Sequence, residues 1–173
     1  MENQINSKSI IINNGLILGI ISILLSVTMY AMGKHLEPHW SLSIISGILF
    51  VVLIVMGIKQ YKVASSGFIS WGQAVKVGVG ISLIAALASV IYNYTFVTFI
   101  EPDFMNQMME IQNQRMLENG MTDEQIDAAN AMAKGMSSPI MGAAMGIISS
   151  AIIGFIISAI AGAVMKKTPE EQY

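Results

Sequence analysis

Along this chain polarity changes by whole segments rather than residue by residue, and four apolar stretches carry the pattern. They run from about Asn14 to Met32, Leu42 to Ile58, Val75 to Ile100 and Pro139 to Met165. A helix needs roughly 20 apolar residues, within about 17 to 25, to cross the hydrocarbon core of a bilayer. All four stretches qualify, the second barely, so the pattern predicts four transmembrane helices. The first exceeds the roughly 7 to 15 residues of a signal-peptide core, and Tyr30 spoils a small-residue cleavage site before Gly33, so it is expected to stay as an anchor.

The only sizeable polar segment, Glu101 to Ser138, lies between the third and fourth stretches. Pro102 disfavours helical geometry at Glu101, so the third crossing should end or bend there. From Asp103 to Glu118, Met105, Met108, Met109, Gln112 and Met116 recur at three-to-four spacing, which predicts an amphipathic helix with a methionine face. Asn119-Gly120 should break it. Thr122 with Gln125 then forms a capping box for a second helix, with Asp123, Glu124 and Asp127 in its first turn and Lys134 and Gly135 at its end. Ser138 and Pro139 supply the cap and first-turn proline of the fourth crossing. The expected architecture is all-α: four transmembrane helices with an extracytoplasmic helical hairpin, about 103–135, docked at the interface.

Composition agrees with this class. Hydrophobic residues make up 54% and charged residues 12%, above the apolar share and far below the charged share of soluble domains. The 173 residues are taken as a single membrane domain. A net charge of -2 gives no case for nucleic acid, which needs basic patches facing phosphate. Absence of cysteine excludes disulfides, thiol catalysis and sulfur-ligated zinc.

Charge also orients the chain. Lys8, Lys59, Lys62, Lys76, Lys166 and Lys167 flank one membrane face, against Lys34, Arg115 and Lys134 on the other. The positive-inside rule therefore places both termini in the cytoplasm. Tyr30, Trp40, Tyr92 and Tyr94 then fall at the outer interface and Tyr61 and Trp71 at the inner one, as aromatic belts require.

A finer pattern runs through the fourth stretch, where Gly142, Gly146, Ser150, Gly154, Ser158 and Gly162 are spaced four apart. Small residues at that spacing let another helix backbone approach closely, the packing device used where lipid removes the hydrophobic drive. Ala74, Gly78, Ser82 and Ala86 repeat the spacing in the third stretch, and Gly15 with Gly19 in the first. Each step of four advances about 400°, so the ridge drifts by roughly 40° per step. One straight neighbour could follow the whole ridge only by crossing at the right-handed angle of about -40° typical of such motifs; otherwise Gly142, Gly146 and Ser150 are expected to grip a different helix from Gly154, Ser158 and Gly162.

Several longer runs resemble a known family. They are Phe68-Ile69-Ser70-Trp71-Gly72-Gln73-Ala74 before an apolar helix and Ile100-Glu101-Pro102-Asp103-Phe104 after it. Then come Gly120-Met121-Thr122-Asp123-Glu124-Gln125-Ile126 and a glycine-rich helix ending in Lys166-Lys167. In this order and spacing, over nearly the whole chain, they resemble domain-of-unknown-function family 4199. The resemblance implies a helical inner-membrane protein of Bacteroidetes-type bacteria, and it transfers no activity or site.

Candidate chemistry is sparse. His35, Glu37 and His39 offer donors for zinc or copper, but Pro38 breaks the helix that an i, i+4 histidine pair would need, so the segment reads as a polar turn. Thioethers suit Cu(I), and Met105, Met108, Met109, Met116, Met121, Met132, Met136, Met141 and Met145 concentrate on the outer side. At helical spacing they read as adaptable packing. None of the four apolar cores carries Asp, Glu, Arg or His near its middle, where a proton-coupled exporter would need a carboxylate. Asn93, Ser82, Ser89 and Ser150 read as interhelical glue. No nucleophile lies beside a plausible base, and the outer acids form a solvated face. The chain is therefore expected not to be an enzyme and to need no cofactor or metal. It reads as a structural or interaction component of the bacterial inner membrane, in contact with lipid and with itself or another membrane protein. The alternatives are a small oligomeric transporter or channel and, more remotely, copper or zinc handling.

Overall fold

Local chemistry sets the helix boundaries. In the computed structural model, which describes residues 7–37, 39–136 and 138–167, the helices are α1 (Ser7–Ala31), α2 (Trp40–Ala64), α3 (Trp71–Thr95), α4 (Phe104–Glu118), α5 (Asp123–Met136) and α6 (Pro139–Met165). The Ser70 backbone N–H donates to Gln73 Oε1 (2.8 Å) and the Gln73 N–H to Ser70 Oγ (3.2 Å), a reciprocal cap that starts α3 at Trp71. Ser138 Oγ accepts from the Met141 N–H at 3.1 Å and opens α6.

Both α1 and α2 overrun their apolar stretches, α1 starting at Ser7 and α2 continuing to Ala64. Intrahelical hydrogen bonds satisfy the backbone through the polar turns that lead into an apolar layer, so the turns bearing Lys8, Lys59 and Lys62 stay helical. At its other end α3 passes into a π-helical turn, Phe96–Ile100. Pro102 has no N–H to extend the ladder, and the Glu101 N–H reaches back to the Phe96 carbonyl at 2.9 Å. The third stretch therefore ends where expected, through a widened turn.

Among the described residues there is no strand, and the one extended pairing is an isolated antiparallel bridge between Ile69 and Lys167. Four helical segments are long and apolar enough to cross a membrane: Ser7–Ala31, Trp40–Ala64, Trp71–Ile100 and Ile140–Met165. By contacts the chain divides into two compact units, Met1–Ser89 with Ile147–Tyr173, and Val90–Gly146. The division falls inside α3 and α6.

In the first unit α3 is the central helix. Its buried row of Ala74, Val77, Gly78, Ile81, Ser82, Ala85 and Ala86 meets Leu18 of α1, Ile54, Ile58 and Tyr61 of α2, and Ala161 of α6 in one core. Tyr61, which the sequence places at the inner interface, is part of that core, 9% exposed. It lies one helical turn beyond Ile58 on the buried face of α2, so packing claims its ring.

The second unit is built on aromatics and a turn. Phe96 is buried, with its ring 5.8 Å from Tyr92 and 5.6 Å edge-on to Phe104. Gly120, at φ +82°, closes α4, and the Met121 N–H donates across it to the Met116 carbonyl at 3.0 Å. The Thr122 N–H donates to Gln125 Oε1 at 3.0 Å and opens α5, which packs against α4 and buries Ile126. The acids Asp123 and Glu124 occupy its first turn, and the helix runs one residue past Gly135. The methionine face expected on α4 is split: Met105 and Met108 are exposed, Met109 and Met116 half-buried, and no residue of α4 is fully buried.

Candidate functional site: small-residue seams on a central helix

Two seams run along α3. On one side α6 lies antiparallel, and its small residues meet those of α3 turn by turn. A Cβ added at Gly154 would collide with the Ser82 hydroxyl, and one added at Gly78 with Ser158 Cβ. At Gly162 an added Cβ would lie 2.9 Å from Ala74 Cβ and 3.3 Å from Trp71 Cδ1. Each step of four along α3 is thus matched by a step of four back along α6. On the other side α1 lies parallel to α3: a Cβ added at Gly80 would lie 2.8 Å from Ile11, one at Gly15 would collide with Ile84, and one at Gly19 would lie 2.8 Å from Ala88. Backbones approach this closely only where a side chain is missing.

Hydroxyls inside the seam are satisfied without outside partners. Ser82 Oγ donates to the Gly78 and Val79 carbonyls (3.2 and 2.9 Å), and Ser158 Oγ to those of Gly154 and Phe155 (2.6 and 3.2 Å). Both side chains are fully buried. Such back-bonding to the preceding turn removes the cost of a buried hydroxyl.

Of the small residues singled out above, Gly78, Ser82, Ser150, Gly154, Ser158 and Gly162 come together here, and Gly142 and Gly146 do not. Around Gly142 and Gly146 nothing lies within 4 Å of an added Cβ, and both are exposed. Ser150 departs from the expected grouping, because its Oγ donates to the Ser82 carbonyl at 3.1 Å and so joins the α3 seam. The hydroxyl spans the gap that the drift of the ridge opens.

Three contacts escaped the sequence reading. Trp71 Nε1 donates to the Ala159 carbonyl (3.0 Å), Lys62 Nζ to the Met165 carbonyl (2.8 Å), and Ile69 and Lys167 exchange backbone hydrogen bonds of 2.9 Å each. Together they fasten the end of α6 to α2 and to the start of α3. On α1, Asn14 is buried and its Nδ2 donates to Gln60 Oε1 (2.8 Å) and to the Ile10 carbonyl (2.9 Å). Gly57 makes room for that amide and for Ile81.

The histidines do separate local work. His35 stacks edge-on to Tyr30, with ring centroids 5.0 Å apart. His39 caps α2, its Nδ1 accepting from the Ser41 N–H at 3.4 Å. Among the described residues no three His, Asp or Glu side chains converge into a group able to hold a metal ion. What the arrangement does chemically is bring helix backbones together.

Fold and seams define an all-helical protein with four helices long and apolar enough for a membrane, organised around α3. The chain belongs to the family described as protein of unknown function (DUF4199), whose profile matches residues 13–167. The matched span runs from within α1 to the bridge at Lys167 and so includes the whole α3–α6 seam and the α1–α3 seam apart from Ile11. No curated protein and no solved structure gives a significant match.

Proposed function

We propose that this protein is a four-crossing component of the bacterial inner membrane, both termini cytoplasmic. It acts by binding a second membrane helix, from its own copy or from another protein, rather than by catalysis. One observation carries the reading. The small-residue ridge of α6 is occupied from Ser150 to Gly162 and open at Gly142 and Gly146. Exposed glycines at that spacing in an apolar helix leave a backbone surface that a second helix can approach.

The test separates association from folding. In mild detergent, after crosslinking, wild type is expected to run as a complex on native gels and Gly146→Leu as the lone protomer, with a protomer no less resistant to unfolding. Identical migration of the two would remove the support for this reading. A transporter or channel would instead give protein-dependent solute flux from liposomes, where a binding component gives none.

A further inference from the structure

In the first unit two exposed apolar rows each end in a lysine. On α2 the row is Ile45, Ile48, Val52, Met56 and then Lys59; on α6 it is Ile153, Ile156, Ile160, Val164 and then Lys167. Steps of three and four place the apolar members of each row, and Lys59 with those of α2, on one helix face, and Lys167 follows two residues past the end of α6. Each row thus has the profile of a phospholipid seen from outside, a long apolar strip with a single charged end. Lys166 adds a second exposed cation beside Lys167.

These cations stand on a fixed frame. The Lys62 ammonium donates to the Met165 carbonyl at 2.8 Å, which joins the ends of α2 and α6. The paired 2.9 Å backbone bonds between Ile69 and Lys167 hold the chain just past α6 in place, and the Lys167 ammonium lies 5.7 Å from the centre of the Phe68 ring. Among the described residues of this unit the one acid is Glu37, in the connection between α1 and α2, at the opposite end of α2 from Lys59. No acid among the described residues at this end of the first unit answers Lys59, Lys166 and Lys167.

We infer that the corner formed by the ends of α2 and α6 binds anionic phospholipid: Lys59, Lys166 and Lys167 take the phosphodiester headgroup, and the two apolar rows take the acyl chains. The positive-inside rule asks only for lysines somewhere in the loops. Here they terminate lipid-length apolar rows and are held by specific bonds, which turns a topology signal into a binding surface. A lysine near an anionic membrane surface favours that lipid by about fivefold. The inference rests on the membrane reading above.

Trp71 reports on this corner, lying two residues from Ile69. The chain has two tryptophans, so Trp40→Phe leaves Trp71 alone. The full chain is reconstituted in phosphatidylcholine vesicles containing phosphatidylglycerol, with one lipid or the other brominated on its acyl chains, and quenching of Trp71 gives their relative affinity. Brominated phosphatidylglycerol is expected to be preferred about fivefold. The preference should fall to about one when Lys59, Lys166 and Lys167 are all replaced by Gln, and should persist when all three are replaced by Arg or when Lys34 alone is replaced by Gln. Lys62 is left intact because it caps α6.

Equal quenching by the two lipids in wild type would overturn the inference, as would a preference that survives the triple Gln replacement. Loss of the preference on adding millimolar inorganic phosphate would assign the lysines to free phosphate and overturn it too. Resistance of wild type to carbonate extraction is scored in the same vesicles. Extraction would overturn the membrane reading itself, and the inference with it, whereas equal quenching in a resistant sample overturns the lipid inference alone.

Discussion

Glycine has opposite meanings at the two halves of one ridge. At Gly154 even a methyl group would run into the Ser82 hydroxyl, while at Gly142 and Gly146 it would meet nothing. Gly154→Ala is therefore expected to destabilise the folded chain by about 1 to 3 kcal/mol through overpacking. Gly142→Ala and Gly146→Ala are expected to stabilise it by roughly 0.5 to 1 kcal/mol each, since alanine is the better helix residue. Unfolding titrations in mixed micelles, followed by tryptophan fluorescence, check both signs. Gly80 belongs to the α1 seam and Gly57 brings α2 close to α1 and α3, yet nothing in the sequence marked them. Each stands outside the four-residue series, and its task is set by a neighbour on another helix, Ile81 and Asn14 for Gly57 and Ile11 for Gly80. Asn14 was likewise hidden, since its partner Gln60 is distant in sequence and the two amides meet only once α1 and α2 are packed.

Helix ends were far more legible than helix faces, because a cap is made by residues three or four apart and a seam by residues about seventy apart. The Thr122 and Gln125 box, the left-handed Gly120 and the Ser138 cap stand in the structure at the positions their spacing indicated. Replacing Thr122 by Ala is expected to cost the α5 terminus about 1 kcal/mol. Amide hydrogen exchange at the first turn of α5 should then quicken several-fold while that of α3 stays unchanged. Apolar length located the four long helices, but it did not show that α1 and α2 would continue helically through their lysine-bearing turns. Nor did spacing reveal the π turn at Phe96–Ile100, which follows from where the Glu101 N–H finds an acceptor. The methionines of α4 were misjudged for a related reason: periodicity identifies a face, and only the α5 contact decides how much of it is covered.

At the scale of the whole chain, alternation of direction is the useful constraint. With α1 parallel and α6 antiparallel to α3, the start of α1 and the end of α6 lie at the same end of the first unit. On the orientation proposed above, fluorescent reporters fused to either terminus should mature in the cytoplasm and alkaline phosphatase inserted at Asn119 should be active; a dark terminal fusion or a silent phosphatase would reverse the proposed orientation. The seam between α3 and α6 has one further implication. A stripe that repeats every four residues matches itself again after a shift of four residues, about 6 Å along the axis with a rotation of roughly 40°. Small would still meet small, so the stripe by itself does not select among neighbouring settings. What breaks the degeneracy are the unrepeated fastenings at one end, Trp71 to Ala159, Lys62 to Met165 and Ile69 to Lys167. The two helices form a ratchet whose teeth are glycine and serine and whose pawl is that cluster of hydrogen bonds, so the register of α6 against α3 within the first unit is chosen at one end of the seam.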